Sequence, residues 1–220
     1  MYVRSRMTEN PITINRQTTI AEALDLMRKN SIRRLPVMEK EKLVGIVTDR
    51  DLSEVSPSPA TSLSVFEINY LLAKMKISDV LPKDQTVVTI SPDAYIEEAA
   101  LLMREHNVGA LPVLENGKLV GIVTETNIFD AFIDILGVRD AGTRITLEVA
   151  DKPGVLADVA EVIRDYGANI ARIAAFRDRG EQTLIVIRLN TTDVDPIVDV
   201  LKQHGYKIQS VKDYQEFQPN

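Results

Sequence analysis

Apolar positions in this chain follow two alternating rhythms, and the whole alternation then repeats. Ile20, Ala23, Leu24 and Met27 recur at the three-to-four spacing of a helix with one buried face, and Thr19 with Glu22 stands at its start as a capping box. Two apolar runs too short for helices follow, Leu35-Pro36-Val37 and Leu43-Val44-Gly45-Ile46-Val47-Thr48, parted by Lys40-Glu41. That spacing predicts a hairpin. Seventy-six positions on, with residue 87 against residue 11, the order returns as Ile96, Ala99, Ala100 and Met103, then Leu111-Pro112-Val113 and Leu119-Val120-Gly121-Ile122-Val123-Thr124. Here the turn is Asn116-Gly117, the pair favoured by type I′ hairpins. Residues 11–52 and 87–128 align without a gap and are identical at 19 of 42 positions, so each unit is expected to fold as lead-in strand, helix, hairpin and second helix.

A unit of about 60 residues buries too little apolar surface to be comfortable alone. The two, over residues 1–57 and 77–137, are therefore expected to pack into one pseudo-symmetric domain. Residues 58–76 are expected to form a linker, with Pro57 just before it and Pro59 near its start, and with a helix from Ser64 that Glu67 completes as a second capping box. Its Val65, Phe66, Ile68, Leu71, Leu72 and Met75 are too apolar for a free tether, so this helix is expected to lie against the pair or meet a second subunit. After a short linker at 138–142 the order changes. Residues 143–214 read as strand, helix, two strands, helix and strand, a βαββαβ pattern of the ferredoxin-like kind. Gly167 stands at a helix C′ position, Asp195-Pro196 as N-cap and N1, and Asp178-Arg179-Gly180 as the middle turn. The fold class predicted is α+β.

Composition narrows the chemistry. A formal net charge of −6 argues against whole-molecule attraction to nucleic acid or anionic membrane while leaving local anion sites open. Without cysteine there is no disulfide, thiolate metal site or cysteine nucleophile, which fits a reducing cytoplasm, the expected location. Met1–Met7 has no apolar core, so no signal peptide is expected, and Ile128–Val138 is short and broken by Asp130 and Asp134. His106 and His204 stand alone near helix ends with no metal-ligand spacing. Phosphate-binding loops, nucleophile elbows and paired metalloprotease histidines are missing from the sequence, so a non-catalytic chain with no metal and no required cofactor is predicted.

The two repeats differ most where their hairpins end: Thr48-Asp49-Arg50-Asp51 against Thr124-Glu125-Thr126-Asn127. Thr48 falls where a strand gives way to a helix, whose free N–H groups could receive an anion, and Gly45 could admit a ligand to the backbone. An equal reading makes Thr-x-x-Asp a capping box and Gly45 the relief of a crowded strand. Before Leu35 the first repeat carries Arg33-Arg34 where the second has Gly109-Ala110, so only the first offers guanidinium groups for phosphates. The alternative is a solvated strand face.

The run Gly-apolar-x-Thr-x-x-Asp at Gly45–Asp51, preceded by Leu-Pro-Val, resembles the cystathionine-β-synthase (CBS) domain, and two in tandem over about residues 3–137 resemble a Bateman module. The resemblance implies clefts that bind the adenosine part of AMP, ADP, ATP or S-adenosylmethionine as a regulatory ligand. It carries the ribose-hydroxyl role to Asp51 and Asn127 and a place near ribose or phosphate to Thr48 and Thr124; the full expected nucleotide-binding set adds Thr13, Arg33, Arg34, Leu35 and Pro36 in the first repeat and Thr89, Leu111 and Pro112 in the second. An amide at Asn127 is a weaker ribose acceptor than a carboxylate, so the first repeat is the expected nucleotide site. Asp151-Lys152-Pro153-Gly154-Val155-Leu156, with Gly167-Ala168-Asn169-Ile170 after the helix, resembles the ACT domain. That implies an amino acid or other small effector held at Asp151, Gly154, Val155, Leu156 and Asn169, usually across a subunit interface. The whole arrangement resembles acetoin-utilisation proteins of the AcuB type. A homodimeric sensor controlling a partner protein is implied; the alternative is a constitutive dimerisation scaffold whose clefts stay empty.

Overall fold

A computed structural model describes residues 1–55, 64–83, 85–177 and 182–215, and the chain divides into two compact units, Met1–Phe129 and Asp130–Asn220. The first opens with a 3-10 turn at Val3–Ser5. It continues through β1 (Thr8–Glu9), β2 (Ile14–Asn15), α1 (Ile20–Lys29), β3 (Arg34–Glu39), β4 (Lys42–Thr48) and α2 (Asp49–Glu54). Beyond these come α3 (Val65–Lys74), α4 (Ile77–Val80), α5 (Ile96–His106), β5 (Ala110–Glu115), β6 (Lys118–Thr124) and α6 (Glu125–Ile135), which runs on into the second unit.

Duplication in the sequence becomes duplication in register. Leu35 faces Val47 and Val37 faces Gly45 in the first hairpin, as Leu111 faces Val123 and Val113 faces Gly121 in the second, and each pairing then shifts by a bulge at the next residue. Asn116 and Gly117 have φ of 51° and 78°, as a type I′ turn requires. The first repeat reaches the same loop length with Lys40 at φ 56°, a left-handed position that costs lysine more than asparagine. Thr19 accepts from the Glu22 N–H while Glu22 accepts from the Thr19 N–H, so α1 starts on the expected capping box, and Ser64 with Glu67 does the same for α3. α3 packs beside α1, leaving Phe66 and Tyr70 exposed.

The lead-in segments change places. Ile77 and Leu81, which precede the second repeat in sequence, are buried with Ile14, Ile20, Leu35, Val37 and Leu52 in the core of the first. The Ile77 N–H donates to Thr18 and the Ile20 N–H to Met75, each at 2.9 Å. Conversely, the Val3 N–H donates to Ala94 at 2.9 Å and β1 pairs with β6, giving sheet orders β2-β3-β4 and β1-β6-β5. Each exchanged segment presses a side chain onto the glycine of the hairpin it joins: a Cβ at Gly45 would lie 2.6 Å from Leu81 Cδ2, and one at Gly121 would lie 2.5 Å from Met7 Sδ. Gly45 therefore relieves a crowded strand, and the reading that it admits a ligand to the backbone is corrected.

The second unit holds β7 (Gly142–Val149), α7 (Val155–Asp165), β8 (Ile170–Arg177), β9 (Thr183–Leu189), α8 (Asp195–Gln203) and β10 (Lys207–Tyr214). Its sheet is antiparallel throughout in the order β10-β7-β9-β8. Alternate residues Ile145, Leu147, Ile185 and Ile187 meet Val159, Ile163, Ile197 and Leu201 of the helices in one buried cluster. Gly167 sits at φ 68° just past α7, as a C′ residue should. α8 begins one residue earlier than expected: Val194 is the N-cap and Asp195 the first helical residue, with Pro196 still inside the first turn, where a missing N–H costs nothing. The turn at Asp178-Arg179-Gly180 lies outside the described residues. Among the described residues no helix is long and apolar enough to cross a membrane.

One carboxylate ties this sheet to acid. Glu148 accepts from Lys207 Nζ at 2.8 Å and Gln209 Nε2 at 3.0 Å, and these bonds hold its pKa below the usual glutamate range. A depressed folded-state pKa gives stability that is present above the unfolded value, about 4.3, and lost as pH falls through the lower folded value. Urea titrations from pH 7 to 3 are thus expected to show Glu148→Gln less stable than the wild type above about pH 5, with the gap closing in acid. A gap that stays constant down to pH 3 would remove Glu148 from this role.

Candidate functional site

Each hairpin delivers a threonine to the start of a helix, and there the motif residues lock onto one another. Asp51 Oδ2 accepts from the Thr48 N–H at 2.8 Å and from Thr48 Oγ1 at 2.9 Å, and the Asp51 N–H returns to Thr48 Oγ1 at 3.1 Å. Asn127 Oδ1 does the same at Thr124, accepting from N–H and Oγ1 at 2.8 Å each. Both motifs are capping boxes first. What remains differs: Asp51 keeps one carboxylate oxygen as an acceptor, whereas Asn127 has spent its only side-chain oxygen and presents just an NH₂ donor. A ribose hydroxyl can donate to the first group and can only accept from the second.

Beside Asn127 lies an open cleft of about 690 Å³, within the 300–1,000 Å³ range of small-ligand sites. Its walls come from both repeats: Thr124, Glu125, Thr126 and Asn127 on one side, Ser31 to Arg34 and the Asn10-Pro11-Ile12 lead-in on the other. Arg34 is half-buried and its Nη2 lies 3.6 Å from Glu125 Oε2. Arg33 is exposed and makes no side-chain hydrogen bond or ion pair among the described residues. The arginines were expected beside Asp51, because they share its repeat. Instead they line the cleft of the second repeat, and neither Thr48 nor Asp51 is part of its wall. The physical reason is the pairing of the repeats: Arg34 opens β3, and its side chain reaches across to α6, passing Gly109, where any Cβ would collide with its guanidinium.

The remaining predicted residues scatter. Leu35 and Leu111 are fully buried and Pro36 and Pro112 are buried too, so they shape the strands behind the cleft. Thr13 lines a different, shallower depression with Asn15, Gln17 and Glu22 on the first repeat. Thr89 is half-buried in the lead-in beside Ile90, whose N–H donates to Pro112 at 3.1 Å. The sequence reading missed Thr8, Asn10, Ile12 and Glu125. Glu125 was visible as the residue following the motif threonine, but nothing local showed that an arginine from the other repeat would meet it.

In the second unit, Asp151, Gly154, Val155 and Leu156 line a cavity of about 360 Å³ at the start of α7. Gly154 is the N-cap, at φ 95°, and provides no side-chain bond, so among the described residues no side chain caps the first-turn N–H groups of α7, which borders that space. Asp151 does not cap the helix; its carboxylate accepts from Arg177 Nη2 at 2.6 Å. Thr183 Oγ1, on the same cavity wall, is buried and without a partner among the described residues. Asn169 is not in this wall: its N–H donates to Asn190 Oδ1 at 3.0 Å, fixing the start of β8.

Comparison with known proteins accounts for both units. The CBS domain model matches residues 3–58 and 77–134. The chain belongs to the CBS-domain family. The ACT domain model matches residues 143–205, so the CBS pair is followed by an ACT domain, a regulatory architecture. A CBS domain-containing protein of Dictyostelium discoideum is 40% identical over 138 residues, covering 62% of this chain and 94% of that protein. A crystal structure from Vibrio cholerae, of a protein named for acetoin utilization (AcuB), is 31% identical with a TM-score of 0.50, covering 63% of this chain and 94% of that one. The structure of CBSX2 in complex with AMP is 28% identical with a TM-score of 0.49, covering 61% of this chain and 97% of that one.

Proposed function

We propose that this chain is a non-catalytic sensor whose CBS pair takes an adenine nucleotide in the cleft between Arg33–Arg34 and Thr124–Asn127, and whose bound state a partner protein reads through a homodimer. One observation carries the reading: two arginines of one repeat line the same cleft as the strand-to-helix junction of the other, so phosphates and ribose would find complementary groups within it. AMP, ADP and ATP suit this cleft better than S-adenosylmethionine, whose sulfonium cation would face the arginines. Asp51, whose second carboxylate oxygen has no hydrogen-bond partner among the described residues, is the place for a second adenosyl ligand. The cavity at the start of α7, bordered by that helix's first turn and the Thr183 hydroxyl, supports an amino acid or other small carboxylate as a second effector. The AcuB likeness makes acetoin metabolism the first setting in which to seek the partner.

A constitutive dimerisation scaffold with empty clefts is the competing reading. The closed capping boxes and the Arg34–Glu125 pair favour it, since both leave the motif groups satisfied without ligand. Calorimetric and thermal-shift titrations with AMP separate the two, because a ligand that binds only the folded state raises the melting temperature by mass action. A saturable heat and a concentration-dependent rise are expected. A flat response to AMP, ADP, ATP and S-adenosylmethionine would leave the scaffold.

A further inference from the structure

We propose that Glu125 is a built-in counter-ion that sets how much negative charge the cleft of the second repeat accepts, occupying Arg34 until a phosphate displaces it. The inference rests on the nucleotide reading above and adds to it a specificity-determining residue. Glu125 opens α6, and its N–H is held by Gly109 O at 3.2 Å, so the backbone is fixed while the side chain, 60% exposed, is free to swing. Its 3.6 Å separation from Arg34 Nη2 is a loose contact, longer than the 2.7–2.9 Å typical of a charge-assisted hydrogen bond. A guanidinium that is 28% exposed in its side chain and, among the described residues, held by one loose contact is available to a better anion. The glycine at position 109 leaves room for the Arg34 guanidinium as it lies here, since a Cβ would press on both Arg34 and Glu125 and force one of them to shift.

The two arginines then play unequal parts. Arg33 is free to meet a ligand at once, while Arg34 must exchange Glu125 for the incoming phosphate. A neutral ribonucleoside leaves the Arg34–Glu125 pair intact; a nucleotide breaks it and also meets the repulsion of the released carboxylate. The pair is particular to one cleft, since the aligned residues of the other repeat are Asp49 on one side and Gly109-Ala110 on the other, with no arginine between them. Breaking a contact between repeats gives phosphorylated ligands a way to alter how the two repeats meet that unphosphorylated ones lack.

The test compares adenosine and AMP on the full chain by calorimetry, in the wild type, in Glu125→Gln, and in Glu41→Gln, which removes the same charge at the far end of the β3–β4 hairpin. Exposed ion pairs contribute up to about 1 kcal/mol, which is about 5-fold in affinity. Glu125→Gln is therefore expected to bind AMP about 2- to 5-fold more tightly, with adenosine unchanged and Glu41→Gln like the wild type. Equal AMP affinity in Glu125→Gln and wild type, or the same gain in Glu41→Gln, overturns the counter-ion role while leaving nucleotide binding intact. Binding of neither ligand to any of the three proteins overturns the nucleotide reading itself.

Discussion

Removing both arginines, as Arg33→Ala with Arg34→Ala, is expected to weaken AMP binding by about 100-fold or more, while adenosine binding changes by less than about 3-fold, taking roughly 1.5 kcal/mol for each charge-assisted bond lost. The size follows from where the two groups stand. Arg33 has no competing partner among the described residues, so its whole interaction with a phosphate is new on binding. Arg34 gives up a loose pair with Glu125 and so gains less, but its removal does further harm, because the Glu125 carboxylate then faces the phosphate with no cation between. The variant should stay folded. Arg33 is exposed and Arg34 half-buried, and the strand that Arg34 opens is held by the Arg34–Thr48 backbone pairing that alanine keeps. Adding Glu125→Gln to the pair should restore part of the lost affinity. A loss of AMP affinity below about 3-fold would move the nucleotide away from this cleft, the junction where Asp51 could accept from a ribose hydroxyl being the next place to look.

This expectation reverses the one read from the sequence, and the reversal shows what a linear pattern carries. Identity at Leu-Pro-Val and Gly-Ile-Val-Thr guaranteed equal hairpins, down to the same bulge after Val37 and Val113. Capping boxes at Thr19, Thr48 and Ser64 were legible because their partners lie three residues away. The ACT strand order was legible for a similar reason: each apolar alternation belongs to one contiguous strand, and the turns between them are short. What stayed hidden lies between segments distant in sequence. β1 has only two residues, too few to carry a period, and nothing in Thr8-Glu9 reveals that it pairs with Ile122 and Gly121 rather than within its own repeat. Arg33 and Arg34 were assigned to the cleft of the motif they precede, because alignment compares one repeat with the other and is silent about how they meet. Gly109 held a clue: against Arg33 in the first repeat it reads as a lost charge, whereas in the fold it is the space through which Arg34 passes. Asp51 also changes meaning. Its place at N3 of the capping box on α2, accepting from the Thr48 N–H, makes Asp51→Ala a poor probe of binding by itself, since the substitution also loosens the start of that helix before any ligand is added.

Leu147→Ala is expected to give the largest loss of stability, about 2–5 kcal/mol, the range for truncating a fully buried leucine. Leu147 is fully buried at the middle of β7, the strand that joins β10 on one side to β9 on the other. Its side chain points to the helix-covered face, in one cluster with Ile145, Ile185, Ile187, Val159, Ile163 and Leu201. The backbone on both sides is pinned, by the Leu147–Ile208 pairing to β10 and the Leu147–Ile185 pairing to β9, so the strand cannot sink to close the space left behind. A cavity that cannot collapse sits at the upper end of the range. Hydrogen exchange locates the damage: amides of β7, β9 and α7 should lose protection in the variant, while those of the β3–β4 hairpin in the other unit keep theirs. Urea denaturation showing a loss under about 1 kcal/mol would mean that the ACT core repacks around alanine, and equal loss of protection in both units would mean that they do not unfold separately.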